Sequence, residues 1–135
     1  MRITAKTEYA CVAVFELASQ YGSDIPVRIR EIAARHGVPS RFLVQILLEL
    51  KEAGLVESTR GAAGGYQLIR PPKQVSLDEV MRVIEGSASD SGPACRASPD
   101  SPAVKALLKD WQDEAANRRE MLQEITFAEL LDRAK

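Results

Sequence analysis

The stretch Arg60-Gly-Ala-Ala-Gly-Gly-Tyr66 constrains the fold of this chain more than any other. It lies between two short runs with strand character, residues 55–59 and 66–69. There Val56, Tyr66 and Leu68 can face inward while Glu57 and Gln67 face water. Glycine turns the chain cheaply and lets a backbone approach a partner closely. A glycine-rich loop can also cradle phosphate, but that geometry needs a helix to follow. Here a run with an aromatic and a β-branched residue follows, then Pro71-Pro72. The pattern predicts a β-hairpin with residues 61–65 at its tip and Arg60 as a cation at its mouth.

Residues 27–36 have helical spacing, with Ile29, Ile32 and Ala33 on one side. Gly37 is placed to end that helix, and Val38-Pro39 forbids its continuation. Ser40 is expected to cap a second helix over 41–53. Its apolar set Leu43, Ile46, Leu47 and Leu50 makes a buried stripe, and Gly54 closes it. Helix, glycine turn, helix and hairpin together predict a winged helix-turn-helix. In that architecture the second helix enters a major groove and the wing touches phosphate or minor groove.

With 135 residues, one domain or one domain plus an appendage is expected. The net charge of −1 looks wrong for a nucleic-acid binder, but its distribution is uneven. Residues 1–75 carry ten Lys/Arg against seven Asp/Glu, and residues 76–135 carry eight against twelve. The basic surplus therefore coincides with the predicted reading elements, where local charge matters more than the total. Two cysteines, Cys11 and Cys95, make no disulfide framework. The apolar run near the N-terminus imitates a signal peptide but is interrupted by Glu8 and Glu16. No run reaches the ~18 apolar residues of a membrane span, so a cytoplasmic location is expected.

Residues 4–21 read as a first helix that is apolar on nearly all sides, buried by neighbours or by a partner chain. Ser76 and Glu79 form a capping box for a short helix ended by Gly86. Residues 87–101 are expected to be a mobile loop. Ser101-Pro102 opens a long helix to about residue 124, with Val104, Leu108, Trp111, Ala115 and Leu122 along one seam and Leu107 beside it. Such a long helix on a small domain is expected to bury its seam against a second copy, giving a homodimer. A second capping box, Thr126 to Glu129, starts a final short helix.

Candidate DNA contacts are Arg28, Ser40, Arg41, Phe42, Gln45, Lys51 and Arg60, with Gly64 and Gly65 permitting close approach. Arg41 and Gln45 share a face of the reading helix, where arginine can read guanine and glutamine adenine. Phe42 is either core or a contact to a thymine methyl. Lys51 is a phosphate contact or plain surface. Cys95 reads as an inert loop cysteine, a thiol switch or a metal-cluster ligand. The single histidine, His36, is expected to complement a helix dipole. No Ser/His/Asp set, HExxH, Walker motif or paired-cysteine metal site is present, so no enzyme is expected. A winged-helix protein-interaction module without DNA is the alternative from a different class.

The chain resembles the bacterial winged-helix regulators of the IscR/NsrR/CymR type, the Rrf-two family, over nearly its whole length. The resemblance rests on Met1-Arg-Ile-Thr4 with Glu8-Tyr9-Ala10, Glu31-Ile-Ala33 with Gly37-Val38, and Ala53-Gly-Leu-Val56. It continues through Arg60-Gly61 with Gly64-Gly-Tyr66, Arg70-Pro-Pro72, Ile84-Glu-Gly86, Trp111 and Ile125-Thr-Phe-Ala-Glu-Leu130. It implies a DNA-binding homodimer with crossed C-terminal helices, acting on a near-palindromic operator. The implied organisation is a winged helix-turn-helix over 1–75, a short helix and sensor-type loop over 76–101, and a dimerisation helix with a short final helix over 102–135. Cluster-binding relatives place three cysteines in the loop before the long helix; this chain has one, Cys95. Glu8 matches a position where some relatives supply a carboxylate ligand. The expectation is therefore a regulator with no metal or other cofactor, an iron–sulfur sensor being the alternative, with Cys95 and Glu8 as the sensor candidates. Val44 stands where some relatives carry a base-reading carboxylate, and Arg28 where a hydroxyl usually caps the first helix of the motif.

Overall fold

The computed structural model describes residues 3–61, 64–86 and 100–134. Residues 62 and 63, and residues 87–99 with Cys95, where the sequence predicts a mobile loop, lie outside the described residues.

Helix α1 (Ala5–Ser19) is the hub of the fold. The Thr4 hydroxyl caps it by accepting from the Thr7 backbone N–H at 3.2 Å. Ala10, Ala13 and Val14 are completely buried, and Leu17 nearly so. Small side chains on several faces let α1 meet four other helices and the wing at once. Its all-round apolar character therefore has an explanation within the protomer. Its one buried carboxylate, Glu16, is satisfied by the helix-turn-helix: Arg35 Nη1 lies 2.6 Å from one oxygen and His36 Nε2 lies 2.8 Å from the other. His36 is thus a bridge to α1 in addition to standing at a helix end.

Helix α2 (Ile29–His36) ends at Gly37, which takes the left-handed conformation at φ 66° and ψ 30°. Helix α3 (Ser40–Glu52) buries Leu43, Ile46, Leu47 and Leu50 completely. Two boundaries differ from expectation. Residue 27 is not helical: Val27 is extended and exchanges two backbone hydrogen bonds with Tyr66, at 2.9 and 2.8 Å. Pairing with the wing outweighs helical spacing there. Ser40 does not cap α3; it is the first helical residue, and Pro39, pre-set at φ −60°, occupies the cap position without a side-chain hydrogen bond.

Strands β1 (Val56–Thr59) and β2 (Gly65–Leu68) pair antiparallel, with Val56 opposite Leu68 and Ser58 opposite Tyr66. Val56 and Leu68 enter the core and Glu57 is exposed, as expected. Gln67 does not simply face water: its amide donates to the Ser23 carbonyl at 2.8 Å and ties the wing to the turn after α1.

A 3-10 turn (Pro72–Gln74) leads to α4 (Leu77–Glu85), capped by Ser76 on the Glu79 N–H at 3.1 Å. Helix α5 (Pro102–Glu124) has 23 residues, about 35 Å of rise. Helix α6 (Phe127–Arg133) is capped by Thr126. The segment before α6 pairs with the segment before α4: Leu77 N–H donates to Ile125 O at 2.8 Å, and Phe127 N–H to Val75 O at 3.0 Å. Phe127 then plugs the core at 1% exposure. The core therefore cuts across the segments read from sequence, joining α6 to the winged helix. Of α5, only Val104 is buried; Leu108, Ala115 and Leu122 are half-buried, and Leu107, Trp111 and Met121 are exposed. No helix among the described residues is long and apolar enough to cross a membrane.

Candidate nucleic-acid interface

The start of α2, the start of α3 and the wing converge on one open cleft of about 600 Å³. Arg28, Arg30, Ser40, Gly61, Gly64 and Gly65 are among its lining residues. Arg41 follows Ser40 on α3, and Arg60 stands in the chain between the lining residues Thr59 and Gly61. Among the described residues, no carboxylate forms an ion pair with Arg28, Arg30, Arg41, Lys51 or Arg60. Elsewhere on the same domain Lys6, Arg35, Arg70 and Arg82 each stand within ion-pair distance of a carboxylate. Uncompensated cations gathered beside an exposed helix N-terminus make an anion-facing surface.

Arg28, at the cap position of α2, makes no side-chain cap. The Glu31 N–H donates instead to the Arg28 carbonyl at 3.0 Å, and the arginine side chain puts a cation at the cleft. Arg41 and Gln45 lie one turn apart on the exposed side of α3. Phe42 is neither core nor free: it is 39% exposed, and its ring meets that of Tyr9 on α1 at a tilt of 52°, centroids 5.6 Å apart. The Arg41 guanidinium lies over the Phe42 ring, 5.2 Å from its centroid. Phe42 thus restrains Arg41 through a cation–π contact, which reduces the entropy Arg41 would lose on binding. Sequence reasoning missed this ring contact because Tyr9 and Phe42 are far apart in the chain. Lys51 is ten residues beyond Arg41, about 15 Å along the helix, and is not brought into the cleft.

The wing glycines have a job inside the protomer. A Cβ on Gly64 would lie 2.2 Å from Thr59 O, and one on Gly65 would lie 2.5 Å from Val27 O. The close backbone approach they permit is between the wing, its own opening strand and the connector before α2. Gly61, at φ 106° with open space around it, is the turn glycine.

Of the sensor candidates, Cys95 lies outside the described residues. Glu8 is exposed in the first turn of α1. Cys11 packs against the core, and its thiol is pushed up to about 11, first by burial and then by the charge of Glu85. With two cysteines in the whole chain and one of them partly buried against the core, the donor set does not fit an iron–sulfur cluster, which needs about four ligands, mostly thiolates. Cys11 is expected to escape alkylation by iodoacetamide at pH 8 in the native protein and to react once the chain is denatured. Mass spectrometry of the labelled protein reads the outcome, and native modification at Cys11 would refute the protection. The ionisation sign is also defined: the unfolded thiol ionises near 9.0 and the folded one near 11, so this group lowers stability as pH rises through that window.

Fold and site together define a winged helix-turn-helix DNA-binding protein. The chain belongs to the Rrf2 family, whose model, described as iron-dependent transcriptional regulator, matches residues 3–133. A Rhodobacter capsulatus sequence named as an rrf2-like HTH-type transcriptional regulator is 41% identical over 132 residues, 96% of this chain and 84% of its own length. The solved IscR of T. potens superposes with a TM-score of 0.80 at 33% identity, covering 100% of this chain and 89% of that one. CymR, the global cysteine regulator of B. subtilis, gives 0.82 at 30% identity, covering 98% of each. The protein is accordingly a DNA-binding transcriptional regulator and not an enzyme.

Proposed function

We propose that the protein acts in the cytoplasm as a homodimer on a near-palindromic operator. Each protomer offers α3 to a major groove and its wing to the flanking backbone, with half-sites about 34 Å apart. The observation that carries this reading is the set of cations without a carboxylate partner among the described residues, Arg28 and Arg30 lining the α3 and wing cleft and Arg41 and Arg60 adjacent in the chain to lining residues. Support for the dimer comes from α5, whose seam Val104, Leu108, Trp111, Ala115 and Leu122 is only partly covered by its own protomer. In this reading Arg60 and Arg28 bind phosphate, Arg41 and Gln45 read base edges, and Ser40 meets backbone at the start of α3. DNA binding needs no metal. If the segment before α5 senses a signal, oxidation or mixed-disulfide formation at Cys95 is the simplest chemistry for it, and Cys95→Ser is then expected to abolish peroxide sensitivity of DNA binding.

The deciding measurement is DNA affinity as a function of salt. Arg60→Ala is expected to weaken binding to every duplex and to reduce the salt slope by about one. Arg41→Ala and Gln45→Ala are expected instead to relax preference at particular bases, each by roughly 1–3 kcal/mol. An unchanged affinity and slope in Arg60→Ala would remove the wing from the interface. A wild type that titrates no DNA at any salt would leave a protein-interaction module as the function of this fold.

A further inference from the structure

Helix α3 exposes two apolar side chains that neither the core nor the polar readers account for. Val44 and Leu48, one turn apart, keep 54% and 45% of their surface in water. The buried stripe of α3 is complete without them, and Phe42 is taken up by Tyr9. Two large aliphatic groups side by side on an exposed helix face mark a surface that something covers.

Charge says what covers it. Arg41 precedes Val44 by three residues, Lys51 follows Leu48 by three, and both cations are exposed and free of carboxylate partners among the described residues. Gln45 lies between them, and Glu49 is held 2.8 Å from Lys6 on α1. Cations at either end with an apolar pair and an amide between them match a polyanionic groove: phosphates at its edges, base edges and thymine methyls on its floor. Glu52, exposed at the far end of the helix, limits how far this face can follow the groove.

Resting on the operator-reading function proposed above, we propose that Val44 and Leu48 form a methyl-reading stripe that selects thymine within each half-site. The thymine C5 methyl packs on the aliphatic side chains. Cytosine at the same step lacks the C5 methyl and forfeits that contact, which sets the preference.

The test uses the full-length protein and a duplex it selects from a randomised oligonucleotide pool. Each thymine is then replaced singly by deoxyuridine, which keeps every hydrogen-bonding group and removes only the methyl. One or two positions per half-site are expected to lose affinity about fourfold, the value of one buried methyl-sized group. Val44→Ala and Leu48→Ala should each abolish the thymine–deoxyuridine difference at one position. Both should leave the salt slope unchanged, since the residues are uncharged, and should stay folded by circular dichroism, since neither belongs to the buried stripe of α3. A wild type that keeps its sequence preference yet binds every deoxyuridine duplex as tightly as the parent would overturn the stripe alone. So would alanine variants that retain the full difference. A pool that yields no preferred sequence would overturn the operator-reading function and the stripe with it.

Discussion

Gly65→Ala is expected to lower the melting temperature by on the order of 10 °C and to weaken DNA binding at least about tenfold. The first effect follows from space. The new methyl would have to occupy a point 2.5 Å from Val27 O and 2.7 Å from Val27 C, both backbone atoms that cannot rotate away. Relief requires the connector and β2 to separate, which stretches the paired hydrogen bonds between Val27 and Tyr66. Overpacking of this kind costs roughly 1–3 kcal/mol, and strained hydrogen bonds add to it. The second effect follows from position. The Val27–Tyr66 bridge holds the wing against the residue preceding Arg28, so a displaced wing opens the cleft between Gly64, Gly65 and Arg28 on which the proposed interface rests. Thermal melting by circular dichroism and a gel-shift titration read the two effects separately. A variant that matches wild type in both would show that the wing does not depend on this seat.

Trp111→Glu is expected to weaken the proposed dimer by roughly 2–4 kcal/mol, about thirtyfold to a thousandfold in dissociation constant, while the protomer stays folded. Trp111 is 40% exposed and lies in the middle of a helix whose apolar side chains Leu107 and Met121 are also exposed, at 47% and 57%. A second copy of α5 would cover them. A glutamate there loses the largest apolar contact and adds a charge whose desolvation nothing offsets. Because the winged-helix core is built from α1 to α4 and α6, its secondary structure should be unchanged. Sedimentation velocity at micromolar concentration decides: dimeric wild type and monomeric variant are expected, and a monomeric wild type would refute the assembly.

The sequence by itself determined the elements whose signals are local. Glycine at 37, the apolar stripe of α3, the hairpin around 61–65 and the capping hydroxyls of Ser76 and Thr126 all act within a few residues, and the structure places each in its expected element. The strength of the Arg-Gly-x-x-Gly-Gly-Tyr signal came from the same locality. What only the tertiary structure decided depends on contacts between residues distant in the chain. Val27 fits helical spacing, yet two hydrogen bonds to Tyr66 hold it extended. Gly64 and Gly65 looked like room for DNA, and the nearest atoms turned out to be the protein's own backbone. Glu16 looked like an interruption of an apolar helix, and it is the buried anchor of Arg35 and His36. The aromatic seat of Arg41 needed Tyr9 from another helix, and the exposure of Val44 and Leu48 needed the helix to be oriented on its core. Periodicity tells which side of a helix is apolar; only packing tells which atoms satisfy a buried charge, crowd a glycine or leave a leucine uncovered.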